Sequence, residues 1–383
     1  MRGANWRNEP VATESPHLLM TLAAFLVLIG SLVVVHELGH YLVGRWFGVK
    51  AEKFSIGFGP QIWGRVDKRG TLWRVGALPL GGFVQFAGDM NPASQADEGW
   101  KSLPDAERNQ TFQSKTLAQR ALIVFAGPAV NFLLAILIFM GFLLAFGKSV
   151  TPPVLDTVLP GSPAAVAGLM EGDRVLTLDG RKVETFNDMA NEVIMIPGET
   201  IVLGIERNGA RLTKEATVAA VTEVDRFGNE YRIGRIGVGA SKIETRKVGL
   251  LEAPWAAVVQ TGSVLRQQMI GLGQIISGRR PLSELGGPLK IAKVSGEAMS
   301  MGILTFISLA ALISINLGFI NLLPIPMLDG GHLLLYGVEA VRRRPATPQI
   351  QEWAFRAGFV MLAAFMLVVT FNDLASFGLF QSG

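Results

Sequence analysis

The sequence predicts a polytopic α-helical membrane protein with four transmembrane helices, a membrane-associated β-hairpin and an inserted α+β domain. Hydrophobic residues make up 49% of the 383 residues and charged residues only 17%, whereas charged residues form about 25% of an ordinary globular chain. The missing charge leaves four long apolar runs, each near the roughly 20 residues that a helix needs to cross a bilayer core. The polar stretch between the second and third runs is long enough for one small domain.

The four apolar runs define the predicted spans. They cover 18–44, 121–147, 298–328 and 353–372, and the only charged residues inside them are Glu37 and Arg356. The chain is therefore divided into 1–47 with the first span, 48–118 with the hairpin, 119–147 with the second span, 148–245 as the inserted domain, 246–297 as an amphipathic linker helix region, 298–335 with the third span, and 336–383 with a loop and the fourth span.

Basic residues predict the orientation of these spans. The short loop between the third and fourth spans carries Arg342, Arg343 and Arg344, and positively charged short loops stay in the cytoplasm. Four crossings return the chain to its starting side, so both termini and the inserted domain are expected outside the cytoplasm. The C-terminal ends of the first and third spans are then expected near the cytoplasmic face.

Alternating and turn-rich stretches predict the structure outside the membrane. Two alternating stretches, 61–66 and 71–86, flank the turn at 67–70 and predict a β-hairpin next to the membrane. The inserted domain is expected to hold one helix near 186–194. Its strands are predicted at 154–159, 174–180, 200–206, 212–219 and 231–238.

Composition excludes several classes of function. The chain has no cysteine, which excludes disulfides, thiolate metal sites and cysteine nucleophiles. Its net charge of +4 is modest, and no long basic tract is present. We therefore expect no nucleic-acid partner.

The sequence HELGH at 36–40 is the strongest chemical signal in the chain. Residues i and i+4 of a helix share a face, so the imidazoles of His36 and His40 can bind one zinc ion. Glu37 then lies beside the metal, where it can take a proton from bound water. A chance match is the plain alternative, but ionisable groups within a membrane span are costly unless they are functional or paired.

A catalytic zinc site needs a third protein ligand and one open position. Without cysteine, the third ligand must be histidine, aspartate or glutamate. Asp329 is expected to end the third span, which runs in the same direction as the first, so it can meet His36 and His40 near one membrane face. The alternative for Asp329 is a simple helix-ending Asp-Gly turn. The preceding Pro324 and Pro326 predict broken helix, which is tolerated at membrane depth where it lines a cavity.

Four other polar residues are weaker candidates. Asn131 opens the second span at the depth of the predicted zinc site, and Asn316 and Asn321 lie in the third span. Each can bind substrate or simply form hydrogen bonds between helices. His332 can support the metal ligands from outside their shell or serve as a polar residue at a helix start.

These motifs resemble those of the site-2 protease family of intramembrane zinc metalloproteases, peptidase family M50, and especially its bacterial RseP-like branch. The similarity includes the order of the spans and the position of the soluble insertion. The motifs are HELGH at 36–40, FSIGFGP at 54–60, LPLGGFVQFAGD at 78–89, GPAVNF at 127–132 and NLLPIPMLDGGH at 321–332.

The resemblance implies regulated intramembrane proteolysis in a bacterial inner membrane. An upstream site-1-type protease trims a single-span membrane protein, and this enzyme then cuts the trimmed substrate within the bilayer. Family ligands map onto His36, His40 and Asp329 for one Zn²⁺, and the catalytic glutamate maps onto Glu37. The hairpin matches the β element that is thought to pair with substrate, which strand addition would allow. Implied substrates include anti-sigma factors and signal-peptide remnants.

Segment 154–240 resembles a bacterial PDZ domain through GSPAAVAGLMEGD at 161–173 and IGVG at 236–239. The chain has room for a single such domain, hereafter the PDZ-like module, which is expected in the periplasm. Two other functions compete on the residues alone. A non-catalytic scaffold that captures peptide C-termini would not need an intact zinc site. A metal or ion transporter would need ionisable groups along its path, yet the second and third runs contain no charged residue.

Overall fold

The computed structural model describes residues 17–89, 98–224, 230–242, 244–282, 286–344 and 347–376. Parts of the predicted terminal segments, 1–16 and 377–383, lie outside these ranges. The helices are α1 (Leu18–Trp46), α2 (Asp105–Arg108), α3 (Leu117–Phe146), α4 (Pro163–Val166), α5 (Phe186–Ile194), α6 (Ala253–Ile276), α7 (Pro288–Ser300), α8 (Ile303–Asn321), α9 (Asp329–Arg342) and α10 (Pro348–Ser376), with a 3-10 helix at Glu98–Ser102.

The strands are short except for the first two. They are β1 (Ala51–Val66), β2 (Leu72–Phe86), β3 (Lys148–Val150), β4 (Thr157–Val158), β5 (Arg174–Leu178), β6 (Arg181–Lys182), β7 (Thr200–Arg207), β8 (Ala210–Thr217), β9 (Ala219–Val224), β10 (Glu230–Arg235), β11 (Val238–Gly239) and β12 (Glu244–Arg246).

The four predicted membrane spans are confirmed. Within the described residues, four helices are long and apolar enough to cross a membrane, namely α1, α3, α8 and most of α10. Between 17% and 28% of the residues in their most apolar windows are buried. Their remaining apolar surface therefore suits contact with lipid chains.

The third span is shorter than predicted, and the prediction that Asp329 ends it is wrong. The apolar run 298–328 is interrupted at Gly302, whose φ of +117° is a conformation that favours glycine. The spanning helix α8 ends at Asn321, and Asp329 is the first residue of α9. A hydropathy pattern does not register these breaks, because the residues in them are largely as apolar as the helix.

The chain divides into two compact units, the first formed by Met1–Gly127 and Pro288–Ala310 and the second by Pro128–Gly287 and Ala311–Gly383. The first unit centres on α1. Helix α7 packs along α1, where a side chain at Gly296 would meet Thr21. The region 246–297, predicted as one linker helix region, contains two separate helices, α6 and the greater part of α7.

The hairpin of the first unit is longer than predicted. One section of its first strand pairs with two sections of the second strand, one on each side. Residues 53–56 pair with 82–85 on one side and with 72–75 on the other, and 63–66 pair with 72–75. The register shifts between these sections show that each long strand bends. The four sections therefore lie side by side in the order 82–85, 53–56, 72–75 and 63–66. Among the described residues, no further strand pairs with the outer edges of this bent sheet.

Aromatic packing fixes the bent sheet on α1. The rings of Phe54 and Trp73 stack with centroids 4.4 Å apart, and Tyr41 of α1 meets them edge-on at 5.9 and 5.3 Å. Tyr41 directly follows His40 in the chain. The sheet is therefore held beside the HELGH turn of the helix.

The PDZ-like module in the second unit has its own core. Its main sheet has the order β6-β5-β7-β8, and the predicted helix is confirmed as α5. Thr185 and Asp188 form a capping box at the start of α5, which satisfies backbone donors that the helix leaves without partners. The core is a cluster of buried aliphatic side chains that includes Leu155, Val175 and Ile205.

Helix α6 connects the PDZ-like module with the membrane helices of the second unit. Its first half packs in an apolar cluster with residues of α3 and α8, and Ala253 belongs to this cluster. Its second half contacts the module, because Nη1 of Arg266 donates to Oε1 of Glu192 at 2.7 Å. Just beyond the helix, Nη1 of Arg279 donates to Oε1 of Glu199 at 3.1 Å. One helix thus contacts both the module and the spans of this unit.

Candidate metal centre

The two histidines of HELGH lie on one face of α1, as their spacing predicts. His36 is buried, with 7% of its surface exposed, and His40 is half-buried. Their Nε2 atoms are 3.2 Å apart and their rings stand at 81° to one another. Two nitrogens bound tetrahedrally at the usual zinc–nitrogen distance of about 2.0–2.1 Å would lie about 3.3 Å apart. The observed separation therefore fits two ligands of one metal ion.

The orientation of His40 is set by α3. Its Nδ1 lies 2.9 Å from the backbone carbonyl of Ile123. A carbonyl can only accept, so Nδ1 carries the proton and Nε2 keeps its lone pair. A metal-ligating histidine usually donates its other ring nitrogen in this way, which fixes both ring and tautomer. The contact therefore prepares His40 to bind a metal through Nε2.

Two glycines allow α1 and α3 to approach at this point. A Cβ on Gly39 would lie 2.5 Å from the carbonyl oxygen of Ala126. A Cβ on Gly127 would collide with Nε2 of His40 and lie 2.9 Å from Cε1 of His36. The helices are thus close enough for the imidazoles to occupy the space that a side chain on Gly127 would need.

Glu37 lies where the helix faces the bent sheet. A Cβ on Gly82 would stand 3.4 Å from Cγ of Glu37 and 2.9 Å from Cγ1 of Val33. Residue 82 belongs to the outer section 82–85 of the sheet. The glutamate of HELGH is therefore close to a sheet edge. The sequence did not predict this proximity.

A compact turn holds Asp329 at the start of α9. Leu328 is extended at the N-cap, and Met327 has a φ of +86°. Side chains on Gly330 and Gly331 would collide with carbonyl groups of the preceding turn, including that of Ile325. The sequence LDGG thus allows the helix to begin immediately after the turn.

The structure brings the three predicted metal ligands together. The side chains of His36, His40 and Asp329 form a group whose ligand atoms all lie within 4.8 Å of one another. Two imidazoles and one carboxylate form a recognised donor set for catalytic zinc, which leaves a fourth position for water or substrate. By donor type and spacing, these residues fit a zinc ion.

The four weaker candidates have different surroundings. Asn131 is fully buried, and its backbone carbonyl accepts a 2.8 Å hydrogen bond from Oγ of Ser314. The amide of Asn321 donates to a carbonyl in its own helix at 3.0 Å. His332 lies in the first turn of α9, with its ring centroid 5.2 Å from that of Phe355, and Asn316 is half-buried in α8. Their roles in substrate binding or metal support stay predictions.

Sequence reasoning missed the contribution of α3 to the histidine geometry. Ile123 acts through a backbone carbonyl, and Gly127 acts through the side chain that it lacks. The only signal was the position of Gly127 in the quoted GPAVNF motif. Its packing against two imidazoles depends on the helix crossing, which no local pattern specifies.

Comparisons with known proteins show the family to which the chain belongs. The profile of a family described as peptidase family M50 matches residues 24–365. A relative from Mesorhizobium japonicum, which has the provisional name zinc metalloprotease mll0638, is 43% identical over 365 residues that cover 93% of this chain and 99% of the relative. Metalloprotease MmpA from Caulobacter vibrioides is 35% identical over 387 residues, with 95% and 97% coverage.

Among solved structures, part of the chain is similar to the PDZ domain of an SdrC-like protein from Listeria monocytogenes. The match covers 24% of this chain and 90% of that one, at 17% identity and a TM-score of 0.19. The family profile and the relatives, by contrast, extend over most of the chain, from the HELGH helix to the last span. The chain therefore belongs to peptidase family M50.

Proposed function

We propose that this protein is a zinc-dependent intramembrane endoprotease that cleaves pre-trimmed single-span membrane proteins. The observation that carries the proposal is the group formed by His36, His40 and Asp329, within 4.8 Å of one another, with Glu37 on the same helix as the histidines. Membership of family M50 and the metalloprotease names of the relatives, one of which includes zinc, support the same chemistry.

The three metal ligands and Glu37 have different roles in the proposed reaction. His36, His40 and Asp329 hold the metal, and the Ile123 carbonyl keeps Nε2 of His40 free to do so. A bound zinc ion supplies a Lewis acid that lowers the pKa of a water molecule and polarises the scissile carbonyl. Glu37 would act as the general base and acid, taking a proton from the attacking water and delivering it to the leaving amine.

The bent sheet is the proposed site of substrate binding. A helix uses its peptide groups in internal hydrogen bonds, so a spanning substrate must unwind before its backbone can be cut. An extended segment can then pair with an exposed sheet edge. The closeness of Gly82 to Glu37 supports pairing at the 82–85 edge, because a strand added there would pass near the catalytic glutamate.

The proposed setting is a bacterial inner membrane, with the PDZ-like module in the periplasm and the metal site near the cytoplasmic side. The three arginines at 342–344 support this orientation. In this setting, envelope-stress or developmental signalling would supply the substrates, such as anti-sigma factors or signal-peptide remnants. The lipid bilayer is a further partner, and no nucleic acid takes part.

The PDZ-like module is proposed to control access to the membrane core. An untrimmed ectodomain is bulky and would collide with the module, whereas a trimmed substrate would pass or dock its new C-terminus. The contacts of α6 support this role, since the same helix packs on α3 and α8 and binds the module through Arg266 and Glu192. An upstream site-1-type protease would perform the trimming.

The proposal is tested by co-expressing the enzyme with tagged single-span proteins in trimmed and untrimmed forms. Wild-type enzyme should cleave the trimmed form, and Glu37→Gln should retain zinc and fold but lose cleavage. Glu107→Gln is the matched control, because Glu107 is an exposed carboxylate in α2. Binding of trimmed substrate without cleavage by the wild type would instead favour a PDZ-bearing scaffold.

A further inference from the structure

The most constrained position near the histidines carries no side chain. A Cβ on Gly127 would collide with Nε2 of His40, stand 2.6 Å from Cε1 of the same ring, and stand 2.9 Å from Cε1 of His36. Contacts below 3.0 Å are essentially never made by real Cβ atoms. An alanine at 127 therefore requires one of the two imidazoles, or the helix itself, to move.

The imidazoles have little freedom to move. His40 is fixed through Nδ1 by the carbonyl of Ile123, which lies one turn before Gly127 on the same face of α3. His36 is buried, and its Nε2 lies 3.2 Å from that of His40. Displacement of either ring would alter the separation that matches two ligands of one zinc ion, or break the hydrogen bond to Ile123.

We infer that Gly127 is a positioning residue for the metal ligands. Because Gly127 has no side chain, the Nε2 atoms of both histidines can bind the same metal ion. This inference rests on the proposed zinc site. It assigns α3 two tasks one turn apart. The carbonyl of Ile123 orients His40, and Gly127 leaves room for the metal-binding edges of His36 and His40.

A plain packing role is the competing explanation, and Gly39 shows what it would look like. A Cβ on Gly39 would meet the backbone of Ala126 at 2.5 Å and 2.9 Å and the Cα of Gly127 at 3.1 Å, with no imidazole among its nearest atoms. Substitution of Gly39 should thus separate the helices whether or not metal is present. Substitution of Gly127 should act on the imidazoles first.

The test compares Gly127→Ala with Gly141→Ala in the full-length protein purified in detergent. Gly141 lies in the same helix, and a Cβ there meets nothing within 4 Å, so this control isolates the effect of position. Zinc affinity is measured by competition with a chelator. The protein is also loaded with Co²⁺, whose visible absorption reports ligand number and geometry. Apo-protein thermal stability reports folding.

Wild type and Gly141→Ala should bind about one zinc and give the same Co²⁺ spectrum. Gly127→Ala should retain the apo-protein melting temperature but lose about 10–100-fold in zinc affinity, the range found when partners of metal ligands are removed, with an altered Co²⁺ spectrum. Unchanged affinity and spectrum in Gly127→Ala would overturn the inference. Wild type without zinc would instead contradict the proposed function.

A folding defect in Gly127→Ala has its own test. Truncation of the ring that it strikes should relieve the clash, so His40→Ala combined with Gly127→Ala should fold as well as His40→Ala alone. Strong coupling of this kind is expected between residues in contact. A double variant that remains misfolded would place the effect in helix packing and would reject the assignment.

Discussion

A buried ion pair in the PDZ-like module offers a way to test gating without deleting the module. Asp173 is fully buried and accepts from Nε of Arg207 at 2.6 Å, from Nη2 of Arg207 at 2.8 Å and from the backbone N–H of Met170 at 2.9 Å. The pair joins the GD turn of the module to β7. Asp173→Asn preserves the shape of the side chain but removes its charge.

The expected loss of stability is large for a domain of this size. Removal of one partner from a buried ion pair costs about 3–5 kcal/mol, because the other charge stays buried without compensation. The Arg207 side chain is 22% exposed and its charge can be partly solvated, so we expect a smaller loss, about 1.5–3 kcal/mol, the range for hydrogen bonds to charged groups. Whole domains are stable by only about 5–15 kcal/mol, so the module should open far more often.

The functional consequence follows from the proposed gating role. In full-length enzyme, Asp173→Asn should make the module sensitive to limited proteolysis and should permit cleavage of the untrimmed substrate. Cleavage of the trimmed substrate should persist, because the residues proposed for zinc binding and proton transfer are unchanged. Glu171→Gln is the matched control, since Glu171 is exposed and lies two residues away in the same turn.

Three results would refute this reasoning at different steps. A module that resists protease as well as the wild type would show that the ion pair does not support the fold as argued. A module that is opened by the substitution, with the untrimmed substrate still uncut, would reject gating by size. Loss of cleavage of the trimmed substrate, with zinc retained, would mean that the module is needed for productive binding.

The same carboxylate predicts how the stability of the module depends on pH. Burial raises the pKa of Asp173, but the hydrogen bonds from Arg207 and Met170 and the charges of Arg207 and Lys214 outweigh it, so the pKa is lowered. The unfolded state then binds the proton more readily. The stabilisation is complete above the unfolded pKa of about 3.9 and is lost as the pH falls towards the folded value. Thermal melts from pH 7 to 3 should therefore show this destabilisation only in the acidic range, and the trend should be weaker in Asp173→Asn.

Three further predictions concern the metal, the substrate and the connecting helix. His36→Ala should reduce the zinc content from about one ion per chain to a small fraction, and equal zinc in both proteins by elemental analysis would reject the ligand assignment. Proline scanned through 61–66 and 82–86 should slow cleavage with zinc retained, because proline removes a backbone donor; unchanged cleavage throughout would exclude strand addition at either edge. Arg266→Ala should weaken the contact between the module and α6 by only about 0.2–1 kcal/mol, since the Arg266–Glu192 pair is partly exposed. The protection of α5 against protease should fall by a similarly small amount. A much larger loss would mean that the module needs α6 in order to fold.

Local sequence properties determined the spans and the histidine pair. Three of the four spans are predicted to within a few residues of α1, α3 and α10, because apolar length is a property of a single segment. The HELGH spacing placed His36 and His40 on one face, because a helix repeats every 3.6 residues. The α5 helix of the module was also located correctly at Phe186–Ile194. None of these features depends on a distant part of the chain.

The sequence predicted Asp329 as the third ligand, but its backbone setting and the contribution of α3 were decided by tertiary structure. Asp329 is remote in sequence from His36, and only packing brings their ligand atoms within 4.8 Å. The backbone conformation at Gly302 and the turn before Asp329 set where helices begin and end, which hydropathy does not record. The double pairing of 53–56 and the clearance at Gly127 arise from the crossing of elements that are distant in the chain. Local periodicity encodes which face of a helix is apolar, whereas these contacts depend on which other element meets that face and how closely.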